Sequence, residues 1–178
     1  MENEKKRTWF KLTIAKIRIL FCYYIVLFHV GLVLCLYTFF NDCFIFKFSI
    51  SQLALIGSIG TSILGCSIFY LRKLYKSCIG ADIEIVDASK TDSQVMGVYF
   101  YFLLRPLFSV AFALLIFVSI KSGMYVITNP KNENELLDTG FIFFTMVVSF
   151  FGGFGAGDFL NILEDKTNKV LNRITFDK

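Results

Sequence analysis

Residues 50 to 71 read ISQLALIGSIGTSILGCSIFYL, 22 positions without an acidic or basic side chain. Wound as an α-helix at about 1.5 Å per residue, such a run covers the ~30 Å hydrocarbon core of a bilayer. Small residues recur in it at every fourth position. Ala54, Ser58, Ser62 and Cys66 form one row, and Gly57, Thr61 and Gly65 form another, with Gly60 beside them. The default reading is the central helix of a tightly packed bundle, because small side chains let neighbouring backbones approach. The functional alternative is a pore-lining helix in an oligomer, with Ser58, Thr61 and Ser62 wetting a lumen.

Three further runs have the same character: about 19–40 (ILFCYYIVLFHVGLVLCLYTFF), about 97–120 (GVYFYFLLRPLFSVAFALLIFVSI) and about 140–160. Of the 178 residues, 56% are hydrophobic and 22 are phenylalanine, more apolar surface than a soluble domain of this size can hide. The chain therefore reads as an all-α integral membrane protein, a single four-helix transmembrane bundle occupying residues 1–178. The first run is too long for a signal-peptide core and no small-residue cleavage site follows it, so it is expected to be retained.

Basic residues set the orientation. Lys5, Lys6, Arg7, Lys11, Lys16 and Arg18 precede the first span; Arg72, Lys73, Lys76 and Lys90 lie between the second and third; Lys166, Lys169, Arg173 and Lys178 follow the fourth. The other side carries only Lys47, Lys121 and Lys131. Both termini, the loop at about 72–96 and the tail at about 161–178 are thus expected in the cytoplasm. The net charge of +4 suits flanks beside anionic lipid and calls for no nucleic acid. Five cysteines (Cys22, Cys35, Cys43, Cys66, Cys78) show no zinc spacing and only Cys43 falls in an outer loop, so neither a metal nor a disulfide framework is expected.

Outside the spans, residues 7–20 mix bases with Phe10, Ile14 and Ile17 behind Trp9. They read either as an interfacial helix or as simple positive flanking. The segment IEIVDASKTDS alternates apolar and acidic residues at Ile83 to Asp87, and an ordinary solvated loop is preferred there to a short strand or a partner-binding segment. Apolar residues at Leu160, Leu163, Val170, Leu171 and Ile174 form a helical stripe that extends the fourth span.

Four features carry any chemistry. Gly152, Gly153 and Gly157 belong to FFGGFGAGD, which follows a lipid-length run rather than a strand. That excludes a dinucleotide loop and leaves close helix packing ahead of a selectivity filter. Arg105 lies eight residues inside the third span, where an unpaired arginine costs about 2.5 kcal/mol or more. Pro106 follows it, and a proline inside a helix favours a kink that frees a carbonyl one turn earlier. By helix direction Arg105 leans toward the cytoplasm and Asp158 into the membrane, so the two are expected to pair. His29, at mid-span, is expected to be a neutral imidazole bonded across helices rather than a relay or metal ligand. No nucleophile–base pair or carboxylate dyad is present, so neither catalysis nor a cofactor is expected.

The small-residue helix LIGSIGTSILG, the opening YFLLRPLF and the glycine-rich FFGGFG together resemble small bacterial four-helix membrane proteins that accompany antiphage and CRISPR systems, the membrane subunit of the Kiwa system among them. The resemblance implies a homo-oligomer that works with a cytosolic effector or alters membrane integrity. The function expected is an oligomeric scaffold or sensor subunit that recruits a cytosolic partner. A homo-oligomeric pore or depolarising effector is the alternative.

Overall fold

The computed structural model describes residues 10–40, 48–79, 83–85, 93–128 and 139–176. A strand β1 (Phe10–Leu12) leads into α1 (Ile14–Phe39); α2 (Ile50–Ile79) follows, then a strand β2 (Ile83–Ile85), α3 (Ser93–Thr128) and α4 (Thr139–Phe176). All four helices contain stretches long and apolar enough to cross a membrane, and the chain is a multi-pass membrane protein.

Local chemistry explains where α2 begins. The Ser49 backbone N–H donates to Gln52 Oε1 (3.0 Å) and the Gln52 N–H to Ser49 Oγ (3.4 Å), the reciprocal arrangement of a capping box. The helices outrun the spans read from the sequence. α2 continues to Ile79, α3 starts at Ser93, and α4 runs unbroken to Phe176, about 57 Å at helical rise. Hydropathy marks where a helix leaves lipid, whereas backbone bonding continues past that point while propensity allows.

Two expectations are corrected at the basic end. The first is the solvated loop at Ile83. Strand β2 pairs in parallel with β1, in the register Phe10 with Ile83, Lys11 with Glu84 and Leu12 with Ile85. The second is the interfacial helix, one of the two readings of residues 7–20. Residues 10–12 are extended and helix begins only at Ile14, while residues 1–9 lie outside the described part. The cause is non-local. Leu12 becomes fully buried beside Leu20, Tyr24, Tyr70 and Phe102, so the ribbon closes the end of the bundle. Pairing β1 with β2 also places the start of α1 and the end of α2 at this same end.

α2 is the centre of the bundle and packs against each of the other helices. Of its membrane-length window 61% is buried, against 22% for α1, which leans on α2 and reaches α3 only slightly. Two apolar clusters occupy the ends, one around Leu53, Phe117, Phe141 and Met146 and one around the ribbon. Between them lies a layer of buried hydroxyls: Ser58, Thr61, Ser62, Ser67, Ser109, Thr145 and Ser149.

Candidate functional site

Glycines and serines let α2, α3 and α4 close on one another. A Cβ at Gly153 would overlap the Ser62 carbonyl, one at Gly65 the Phe150 carbonyl, and one at Gly57 would stand 2.8 Å from Met146. Gly60 lies against Leu34 and Cys35 of α1, and Gly152 against Ile116 of α3. In the space so opened, Ser62 Oγ donates to the Ser109 carbonyl (2.8 Å) and Ser109 Oγ to the Ser62 carbonyl (2.9 Å). Thr61 turns back onto its own helix, to the carbonyls of Gly57 (2.9 Å) and Ser58 (3.1 Å). Among the described residues the buried hydroxyls of Ser58 and Ser149 have no protein partner. Thus the α2 row expected either to pack or to line a lumen is enclosed within a single copy of the chain.

One turn toward the ribbon sits Arg105, only 5% exposed. Its guanidinium lies 4.0 Å from the Tyr101 ring centre and 6.0 Å from that of Tyr70, and Nη1 donates a long hydrogen bond, 3.4 Å, to the Gly157 carbonyl. Tyr70 stacks on Tyr24 at 5.6 Å and meets Phe102 edge-on at 5.9 Å. Aromatic faces carry negative potential, so they offset part of the cost of a cation removed from water. Gly157 is required here because a Cβ would collide with the Tyr70 hydroxyl.

The expected pair of Arg105 with Asp158 does not form. The side chain folds back over Tyr101, one turn toward its own N-terminus, and takes the carbonyl of the residue before the aspartate. Asp158 itself is exposed. The depth argument put the two at one level, but Gly153 and Gly157, four apart, hold the face turned to α2. The next residue is rotated about 100° away from it.

Pro106 is buried beside Arg105 and leaves the Phe102 carbonyl without its helical donor. Tyr24 of α1 supplies that donor through its phenolic hydroxyl, and Tyr23 bonds the next carbonyl, Leu103, at 3.2 Å. His29 is also corrected. It is exposed on the outer face of α1 and bonds the Ile25 carbonyl of its own helix (2.8 Å), not a neighbouring one.

Sequence reasoning missed Tyr24, Tyr70, Tyr101, Ser109 and Ser149. Most could have been reached by extending rows at spacing four. The row Ala54, Ser58, Ser62, Cys66 continues to Tyr70; Arg105 is flanked by Tyr101 and Ser109; and Gly153 is preceded by Ser149 and Thr145. No family model, curated protein or solved structure matches the chain.

Proposed function

We propose that the chain is a membrane scaffold or sensor subunit that assembles with further copies of itself and recruits a cytosolic partner at the ribbon end, in the antiphage setting implied by its resemblance. The observation that carries this reading is the continuity of α4. One helix passes from the glycine contacts with α2, past the Arg105 site, into the polar sequence that ends at Phe176. A rigid helix fixed at one end in this way can pass a change in the membrane to a soluble partner, or the reverse. The basic residues that favour a cytoplasmic placement cluster at that same end. The pore reading has less to rest on, because Ser62 bonds Ser109 of α3 and packs on Gly153 of α4 in the same copy.

Affinity capture from native membranes in mild detergent tests the proposal. A soluble protein should co-purify with the full chain and be lost when residues 166–178 are removed, with the membrane assembly unchanged in size. Retention of the same partner by the shortened chain would contradict it.

A further inference from the structure

On the outside of the α2–α4 seam, at the ribbon end, lies a groove of about 300 Å³ lined by Phe69, Arg72, Lys73, Lys76 and Phe154. Its chemistry is two-sided. Phe69 and Phe154 meet edge-to-face at 5.2 Å and make an apolar floor. Arg72 and Lys73 follow on the same face of α2 one helical turn farther out and Lys76 two turns out, with the half-buried Lys73 ammonium 5.9 Å from the Phe69 ring centre. The depth is right for a headgroup. Phe69 stands 20 residues into α2, which at helical rise is about 28 Å from the first residue, close to the thickness of the hydrocarbon core.

Among the described residues, the three bases of the groove meet one carboxylate, Asp158, whose charge reaches Lys73. Asp158 follows Phe154 by one turn of α4 and is the carboxylate nearest in sequence to its lining. Behind the seam, Arg105 is a buried cation that, among the described residues, is met by a carbonyl and ring faces rather than a carboxylate. Beside it the buried Tyr70 hydroxyl, packed on Gly157, has no hydrogen-bond partner among the described residues. Three converging surface cations, a fourth beneath them and apolar walls below make a cradle for one negative headgroup with a hydrocarbon root. Basic pockets between transmembrane helices recognise anionic lipid in this way.

We propose that this groove binds the phosphate of an anionic phospholipid, held among Arg72, Lys73 and Lys76, with the upper part of an acyl chain lying across the floor made by Phe69 and Phe154. The site is independent of the scaffold reading and stands or falls by itself.

Native mass spectrometry of the purified full-length chain, titrated with dioleoyl phosphatidylglycerol or dioleoyl phosphatidylcholine, tests it. Phosphatidylglycerol should be retained in preference. The variant Arg72→Gln/Lys73→Gln/Lys76→Gln should bind it about tenfold more weakly or worse, since each base near an anionic surface contributes appreciably. Phe154→Ala should weaken retention of the diacyl lipid. Arg18→Gln/Lys166→Gln, which removes exposed bases elsewhere, should change nothing. If the triple variant fails to fold, Arg72→Gln/Lys76→Gln, at two exposed positions, should show the same loss in smaller degree. Equal retention of both lipids, or equal losses in the groove and control variants, would overturn the proposal. Displacement of the lipid by millimolar inorganic phosphate would also overturn it, assigning the groove to free anions.

Discussion

Tyr24 of α1 donates its phenolic hydrogen to the carbonyl of Phe102, the one carbonyl of α3 that Pro106 deprives of its helical partner. Proline alone would leave a polar group exposed to lipid or packed without a donor, at a cost of about 1–3 kcal/mol. The tyrosine converts that defect into the main link between α1 and α3. Tyr24→Phe should therefore lower stability in detergent by about 1–3 kcal/mol. In the Pro106→Ala background, where the helix can bond its own carbonyl, the same change should cost much less. A double-mutant cycle read by thermal unfolding measures the coupling, and additive losses would show that the tyrosine does not answer the carbonyl freed by Pro106.

Arg105 depends on rings and a carbonyl more than on Asp158. Tyr101→Leu removes the closer ring face and should destabilise the fold by about 1–2 kcal/mol. Asp158→Asn, at an exposed position, should stay within about 0.5 kcal/mol of the parent. The reverse order in a chemical-denaturation series would restore the ion pair.

The glycines of residues 152–157 are not equivalent. Gly153→Leu would drive a side chain into the Ser62 backbone and should abolish the α2–α4 contact, with loss of the monodisperse peak in size-exclusion chromatography. Gly155→Leu, with open space around its Cα, should leave the fold of one copy intact by the same assay.

The membrane spans were legible because hydropathy over 20 residues reports burial in lipid regardless of tertiary contacts. Which side of a span faces its neighbours was only half legible. Spacing at four placed Ser58, Ser62, Gly153 and Gly157 on packed faces, but it could not say that Asp158 lies around the corner from Gly157. Of the β1–β2 ribbon only a possible strand at Ile83 was legible, and not its pairing. Three-residue strands carry too little periodicity to distinguish from loop, and theirs is set by a pairing more than 70 residues apart. His29 misled for a related reason: a polar group in lipid needs a partner, and the nearest was its own helix.

Orientation rests on the basic residues and can be read directly. In a background without native cysteines, a cysteine at Ser49 should react with an impermeant maleimide on intact cells, and one at Glu84 only after lysis. Labelling of the cysteine at Glu84 but not the one at Ser49 from outside would reverse the placement of the ribbon end.

Cys66 offers the most direct test of the sealed polar seam, because it continues the Ser58–Ser62 row and is fully buried. With Cys66 as the sole cysteine, the rate of its modification by a charged, water-soluble methanethiosulfonate is measured in native membranes. A seam packed inside one copy gives no modification until the protein is unfolded in SDS. Rapid modification in the intact membrane, on both native and reconstituted protein, would mean that the row faces water and that the chain forms a pore.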